Sequence, residues 1–347
     1  MTTARVSVAC LGAGYFSQFH YGSWKRIPEV DLVASADRNI AAAQKTGLPT
    51  FDSLEAMLSA KKPDLLDIIL PPPAHAQAIR TAIGHGVRHI ICQKPFCLSL
   101  DEADEIVAEA EAAGVTLIVH ENFRFMPWYR AIKQSLDAGD IGQVMQACFR
   151  LRPGDGQGPN AYLDRQPYFQ TMPEFLVHET GVHWVDTFRY LFGDPVAVYA
   201  DLRRLNPVVA GEDAGFVLFD HPNGVRTVFD GNRHLDHAAD NLRRTMGEAV
   251  FEGTEGTISL FGDGRVELRT FGSMSHKSLL PPDTWDGFGG DCVHHLQSHV
   301  IAGLTKGGSL ENTASDYRSV IRVRDAIYRS ADEGRKVYLD GSGDGRQ

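Results

Sequence analysis

The first third of the chain alternates short apolar runs with segments whose apolar residues recur at helical spacing. The runs are nearly continuous in Val, Ile and Leu, which is typical of strands buried on both faces. The predicted strands cover residues 5–11, 30–36, 64–70, 88–92 and 115–119. The predicted helices cover residues 15–26, 39–45, 53–59, 75–84 and 99–113. This alternation predicts an α/β domain with a doubly wound parallel sheet.

After about residue 125 the pattern changes to strand-sized runs separated by turn signals. Helices are predicted over 128–138, 175–192, 292–304 and 314–331. Strands are predicted over 144–151, 196–202, 215–220, 226–230, 248–252, 257–260 and 266–270. The pairs Asn223-Gly224 and Asp263-Gly264 favour hairpins. We therefore expect a domain over 1–125 and an α+β domain with a mainly antiparallel sheet over 126–347.

Composition and charge narrow the function classes. The chain has 347 residues and a formal net charge of −10, without a long Lys/Arg run. This charge argues against a nucleic acid or an anionic membrane surface as the main partner. The apolar runs have the length of strands and are too short to span a membrane. Near the start of the chain, glycines come too early to leave room for the apolar segment of a secretory signal. The five scattered cysteines suit reduced thiols. We expect a cytoplasmic protein.

A glycine pair follows the first predicted strand and opens the first helix. In Gly12-Ala13-Gly14, the first glycine permits a tight turn, and the second lets the backbone approach a pyrophosphate at the helix N-terminus. Ser17 stands where the third glycine of such motifs is usual, a small residue at a packing position. Taken alone, the motif fits a dinucleotide site and a plain strand-to-helix turn equally well.

An acidic residue ends the second predicted strand. Asp37 can accept both hydrogen bonds of an adenosine ribose diol and repels a 2′-phosphate, which favours NAD over NADP. Arg38 beside it could soften this discrimination because an arginine can face a 2′-phosphate. The alternative for Asp37 is a turn-forming residue after a strand.

Five motifs in consistent order carry a family resemblance. They are GAGYFSQFH (12–20), PPPAHAQ (71–77), CQKPF (92–96), HENFRFMP (120–127) and VHETGVHWVD (177–186). With them the chain resembles the glucose–fructose oxidoreductase/inositol dehydrogenase (Gfo/Idh/MocA) family over nearly its whole length. The resemblance implies a Rossmann domain, an open-faced C-terminal sheet, a nicotinamide cofactor bound between the two domains, and a last helix that returns towards the first domain. It also implies homo-oligomers, dimers or tetramers, that associate through that sheet.

The motifs assign roles to individual residues. Lys94 and His183 match the family's catalytic lysine and histidine. Gln93 and Glu179 depart from the glutamate and the aspartate that are usual in those motifs. The cofactor contacts implied by the resemblance are Gly12, Gly14, Tyr15, Phe16, Asp37, Arg38, Pro72, His75, Gln93 and Lys94.

The chemistry needs a base for a hydroxyl proton and a group that steadies the developing negative charge. His183 suits the first role because imidazole titrates near neutral pH. Lys94 suits the second as a cationic donor, or becomes the proton acceptor if burial lowers its pKa. Glu179 lies four residues before His183 on the same helix face, so it can orient the imidazole, hold its tautomer or join a proton relay.

A long polar loop over 150–169 offers groups for a polyol. The predicted substrate-binding residues are Arg124, Arg152, Asp155, Tyr162, Asp164 and His183. The alternative is a loop that mediates a subunit contact. Histidines at 234, 237, 294, 295 and 299 lack a cysteine or carboxylate cluster that would complete a metal site, so no metal is predicted.

These observations predict an NAD-dependent sugar or polyol dehydrogenase. Three stretches resemble a branch of the family that oxidises an aldose: GAGYFSQFH (12–20), the loop LRPGDGQGP (151–159) and HETGVH (178–183). This resemblance implies C1 as the reacting carbon and a lactone or aldonate as the product. Two alternatives stay open: a glycosidase that uses bound NAD transiently, and a cofactor-binding sensor without turnover.

Overall fold

The computed structural model describes residues 5–339. Contacts between residues divide this part of the chain into two compact units. Unit 1 comprises residues 5–122 and Val293–Ile321, and unit 2 comprises Phe123–Cys292 and residues 322–339. The assignment of cofactor binding to a domain over 1–125 and of substrate binding to one over 126–347 stays a prediction.

Unit 1 contains a six-stranded parallel sheet in the order β3-β2-β1-β4-β5-β6. Its strands are β1 (Val6–Leu11), β2 (Val30–Ala36), β3 (Thr50–Phe51), β4 (Leu65–Ile68), β5 (His89–Gln93) and β6 (Thr116–His120). The helices between them are α1 (Ser17–Trp24), α2 (Ile40–Gln44), α3 (Leu54–Lys61), α4 (His75–Gly84) and α5 (Leu100–Ala112). The predicted α/β class is confirmed, and sequence reasoning missed only the two-residue strand β3 in this sheet.

The strand ends of this sheet lie at one edge. Leu11 pairs with Ala36 of β2 on one side and with Ile68 of β4 on the other, and Gln93 pairs with His120. The chain order reverses at β1, which is where doubly wound sheets bind ligands. The turns that follow β1, β2, β4 and β5 therefore share one rim of unit 1.

Unit 2 contains a nine-stranded sheet in the order β14-β13-β12-β11-β7-β10-β9-β8-β15. Strands β7 and β10 pair in parallel, and the other neighbours pair antiparallel. The strands are β7 (Val144–Leu151), β8 (Ala197–Arg203), β9 (Ala214–Asp220), β10 (Arg226–Asn232), β11 (Gly247–Gly253), β12 (Gly256–Leu260), β13 (Val266–Thr270), β14 (His276–Leu280) and β15 (Val337–Tyr338). The helices are α6 (Pro127–Asp137) and α7 (Val182–Phe192), while α8 (Cys292–Lys306) begins at the boundary of the units and α9 (Ala314–Glu333) crosses it.

Both predicted hairpins are confirmed. Asn223 and Gly224 join β9 to β10 with φ angles of 69° and 79°, the left-handed pair that matches the twist of antiparallel strands. Asp263 and Gly264 join β12 to β13.

The large sheet has one packed and one open face. Trp184 of α7 stacks on Phe149 of β7 at 4.2 Å and lies 5.5 Å from Phe229 of β10. On the opposite face Phe216 is 51% exposed, and the residues beside it are only partly covered. The resemblance had implied such an open-faced sheet, and the structure of unit 2 contains it.

The predicted continuous helix over 175–192 is wrong in its first part. Residues Leu176–Gly181 form a π-helical segment, and only Val182–Phe192 is α-helical. The buried Glu212 carboxylate accepts the N–H groups of Phe175 and Val177, and the hydroxyl of Tyr328 accepts that of His178. Side chains distant in sequence therefore satisfy the first amides, and local periodicity could not reveal this.

Candidate functional site

The glycine turn after β1 is tightly packed at its first glycine and open at its second. Gly12 has φ +109°, and a Cβ there would lie 2.3 Å from the Ile69 carbonyl oxygen, so only glycine fits. A Cβ at Gly14 would meet nothing within 4 Å. Ser17, buried at the start of α1, donates its hydroxyl to the Gly14 carbonyl at 2.6 Å. The serine is thus accommodated at the position of a usual third glycine.

Asp37 joins the end of β2 to this turn. One carboxylate oxygen accepts the Ala13 N–H at 2.7 Å, and the other accepts the Asn39 N–H at 2.7 Å. The bond to Asn39 is the turn-forming contact expected of an aspartate after a strand. The bond to Ala13 holds the carboxylate against the glycine turn. Arg38 follows on the surface. The open space at Gly14 and the carboxylate beside Ala13 fit the pyrophosphate and the ribose of a dinucleotide.

His75 lies inside unit 1 rather than on its rim. Its ring is fully buried, and Nε2 lies 2.7 Å from the Leu70 carbonyl. Burial lowers its pKa to about 4, while the carbonyls of Leu70 and Pro95 oppose the shift. A neutral His75 therefore donates to Leu70 and supports the turn containing Pro72, which is partly exposed. Direct cofactor contact by His75 stays a prediction, and the structure gives the ring a structural role.

Gln93 is the last residue of β5, and Lys94 follows it. The Lys94 N–H donates to the Gln93 side-chain oxygen at 2.9 Å, and Gln93 Nε2 lies 2.9 Å from Nε2 of His20. His20 Nδ1 lies 2.8 Å from a carboxylate oxygen of Asp67. Sequence reasoning missed the buried residues His20 and Asp67, and Asp67 sits within the apolar run LLDIIL. The signal was present: a carboxylate in a strand buried on both faces requires polar partners.

His183 in unit 2 lies near the start of α7 and is 7% exposed. Its ring is stacked on that of Phe123, with centroids 3.7 Å apart. Glu179 lies in the π-helical segment and His183 in the α-helix that follows, so the expectation that one continuous α-helix carries both is wrong, whereas their shared helix face stays a prediction. The pKa of Tyr168 is raised, first by desolvation of the Tyr168 hydroxyl and then by the negative charge of Glu179. An orienting role for Glu179 stays a prediction.

Both predicted substrate-binding arginines are buried in ion pairs within unit 2. Arg124 forms a fork with Asp186 at 2.8 and 2.6 Å. Arg152 donates to the Asp230 carboxylate and carbonyl and to the Leu151 carbonyl. Each guanidinium therefore has a structural partner of its own, and substrate binding by either stays a prediction.

Asp155 and Tyr162 are folded around an arginine that sequence reasoning missed. Arg233, 2% exposed, donates to Asp155 at 2.7 and 3.1 Å, to the Tyr162 hydroxyl at 3.1 Å and to the Thr180 hydroxyl at 2.8 Å. The rings of Tyr162, Phe169 and Phe175 lie within 5.5 Å of its guanidinium carbon. The long loop is thus tied to the π-helical segment. Asp164 alone of the four predicted residues in the loop over 150–169 is exposed.

The histidines outside these clusters do not gather into a metal site. His234 Nε2 lies 2.8 Å from the Asp213 carboxylate, and His237 Nδ1 lies 2.8 Å from the Arg152 carbonyl. Within residues 5–339, no three His, Cys, Asp or Glu side chains are placed to hold a metal ion. The metal-free site stays a prediction.

Two further properties bear on the setting of the protein. All five cysteines are free thiols, and four of them are buried. Over the described part of the chain, we find no helix with the length and apolar character needed to cross a membrane.

Comparison with known proteins gives the family. The model described as "Oxidoreductase family, NAD-binding Rossmann fold" matches residues 6–121, and the GFO/IDH/MocA C-terminal domain matches residues 129–259. A D-apiose dehydrogenase of Paraburkholderia graminis is 34% identical over 97% of this chain and 91% of its own. A second, of Rhizobium rhizogenes, is 28% identical over 98% of this chain and 99% of its own.

A solved structure agrees with this assignment. An oxidoreductase of Agrobacterium radiobacter, in complex with NAD+, L-tartaric acid and magnesium, has a TM-score of 0.87 and 27% identity. The match covers 97% of this chain and 99% of that one. The aldose-oxidising branch that the motifs indicate is that of the D-apiose dehydrogenases, and both named relatives belong to it by name.

Proposed function

This chain belongs to the Gfo/Idh/MocA oxidoreductase family, and we propose that it oxidises C1 of an aldose with NAD, D-apiose being the first candidate. Identity over nearly the whole chain to two D-apiose dehydrogenases carries the choice of sugar. The loss of two electrons and two hydrogens from the C1 hemiacetal leaves a lactone, which water opens to the aldonate.

The cofactor half of the proposal rests on the turns of unit 1. Gly12 and Gly14 would let the backbone approach the pyrophosphate, with Tyr15 and Phe16 beside it, and Asp37 would bind the ribose diol. Bound NAD supplies the acceptor for the hydrogen on C1. Because Asp37 would repel a 2′-phosphate, we favour NAD over NADP.

We assign two side chains to act on the reacting hydroxyl of the sugar. His183 takes its proton as a general base, held in orientation by the stacked ring of Phe123. The ammonium of Lys94 steadies the negative charge that develops on the oxygen. Asp164 is exposed on the loop, and we assign it to a sugar hydroxyl. The ion pairs of Arg152 with Asp230 and of Arg233 with Asp155 hold the loop in place.

The open face of the large sheet suggests how the protein assembles. Phe216 is half exposed on β9, and its neighbours on that face include apolar side chains only partly covered. We assign this face to a homo-oligomer, a dimer or tetramer, since exposed apolar patches mark protein contacts. The free cysteines suit a cytoplasmic setting.

A substrate panel tests the function. Purified protein is incubated with aldoses, polyols and sugar acids, with NAD and NADP in parallel, and net formation of reduced cofactor is followed. We expect the highest kcat/KM with D-apiose and NAD. Cleavage of a glycoside without net NADH would indicate transient redox chemistry, and cofactor binding without turnover of any sugar would indicate a sensor. Either result would contradict the proposal.

A further inference from the structure

A chain of buried polar side chains in unit 1 leads from Asp67 in strand β4 to the backbone N–H of Lys94. We propose that Asp67, His20 and Gln93 form a hydrogen-bond chain of fixed direction, in which Gln93 is a positioning residue for the Lys94 turn. Its functional consequence rests on the role of Lys94 in the proposed function, whereas the direction of the chain does not.

The direction follows from the one donor whose identity is certain. The backbone N–H of Lys94 can only donate, so the Gln93 atom 2.9 Å from it must be the amide oxygen. The amide nitrogen then faces His20 Nε2 at 2.9 Å. An amide nitrogen has no acceptor capacity, so His20 Nε2 must accept and carries no proton.

The imidazole passes this direction on to Asp67. With Nε2 unprotonated, the ring proton of neutral His20 is on Nδ1, which lies 2.8 Å from Asp67 Oδ2. The indole N–H of Trp24 donates to the same oxygen at 2.7 Å, and Gln297 Nε2 lies 3.4 Å from it. These donors reach Oδ2 from separate elements, whereas Oδ1 has no hydrogen-bond partner among the described residues, so Oδ2 is the acceptor in which the chain ends.

Burial makes the arrangement rigid. His20 and Asp67 are both 0% exposed, and the ring of His120, at the end of β6, lies 4.1 Å from that of His20. A wrong proton position on His20 would place two donors face to face at Gln93 and leave a buried polar group unsatisfied. The Gln93 amide would then have to turn over, and the Lys94 N–H would lose its acceptor.

The residue type at position 93 therefore matters. An ionised glutamate offers two acceptors, so one would face His20 Nε2 and require a proton there as well. His20 would become an imidazolium between two carboxylates. Glutamine instead donates to His20 Nε2, so the ring needs a proton only on Nδ1.

The first test reads the proton positions directly. Protein labelled with ¹⁵N in the histidine rings is studied by NMR, and the His20 signals are identified by their loss in His20→Gln. Should that variant not fold, their contact with the Trp24 indole N–H identifies them. We expect a proton on Nδ1 alone in the wild type and on both nitrogens in Gln93→Glu. A proton on Nε2 of the wild-type ring would overturn the proposed direction.

The second test asks whether the chain positions Lys94. Gln93→Leu has nearly the same volume and removes both hydrogen bonds, and we expect kcat to fall by about tenfold to a hundredfold while KM for the sugar changes little. Gln44→Leu, at an exposed glutamine of the same unit, is the matched control and should leave kcat unchanged. Wild-type kcat in folded Gln93→Leu would refute positioning. Failure of the wild type to oxidise any sugar would refute the proposed function instead, and the NMR result would still decide the direction of the chain.

Discussion

The imidazole of His183 lies parallel to the phenyl ring of Phe123, with an interplanar angle of 2° and centroids 3.7 Å apart. A stacked ring fixes the plane in which a base presents its lone pair, so removing it should cost turnover more than binding. We expect Phe123→Leu to lower kcat by about tenfold with little change in KM for NAD. Phe271→Leu, at a 75% exposed phenylalanine of the same unit, is the matched control. Equal kcat for folded Phe123→Leu and wild type would contradict the assigned role of the stack.

Asp37 should set the choice between NAD and NADP. Asp37→Asn removes the charge but keeps an oxygen that can accept the Ala13 N–H, so the glycine turn should survive. We expect the ratio of kcat/KM for NAD to that for NADP to fall by at least about tenfold, because a charged hydrogen bond to the ribose is lost and the repulsion of a 2′-phosphate ends. Steady-state kinetics with both cofactors measure this ratio. An unchanged ratio would leave Asp37 as a turn residue only.

Arg233 should dominate the stability of the long loop. Arg233→Met removes the buried cation that holds Asp155, Tyr162 and Thr180. Asp155 is partly exposed and keeps its second partner Arg165, so we expect a loss of about 3 kcal/mol of unfolding free energy, the lower end of the range for breaking a buried pair. Arg203→Met, which breaks the exposed pair with Asp201, should cost about 1 kcal/mol or less. Urea unfolding of both variants provides the comparison. Similar losses would show that the loop does not depend on Arg233.

The buried His75 should lower the free energy of unfolding in acid. Burial lowers its pKa in the folded protein to about 4, against about 6.5 when unfolded, so the unfolded chain binds the proton first as the pH falls. The contribution is fully present above pH ~6.5 and is lost down to pH ~4, up to about 3 kcal/mol. His75→Gln should show a smaller decrease in unfolding free energy between pH 7 and pH 4.5 than the wild type. Parallel pH profiles for the two proteins would contradict this.

The sequence predicts the sheet of unit 1 well because its strands are buried on both faces and read as apolar runs. Hairpins follow from local turn chemistry, as at Asn223-Gly224. The strand β14 was missed because its residues are largely exposed and carry no alternating pattern. Edge strands of this kind gain their hydrogen bonds from a partner that local sequence does not name.

The residues of the candidate site also differ in how far the sequence reveals them. Lys94 and His183 lie in motifs that the sequence displays, whereas their supporting partners come from distant elements. Asp67 was hidden in an apolar run, and Arg233 follows a strand without any helical or catalytic pattern. Pairing of such buried charges is decided by tertiary structure, so only coordinates show that Asp155 binds an arginine.

Transfer of hydrogen from C1 is the central claim, and isotope labelling tests it most directly. D-Apiose carrying deuterium at C1 is incubated with the enzyme and NAD, and the reduced cofactor and the sugar product are analysed by mass spectrometry. We predict deuterium in the NADH formed, together with an equal amount of unlabelled lactone or aldonate. Unlabelled NADH, or no net NADH from any aldose, would contradict the account.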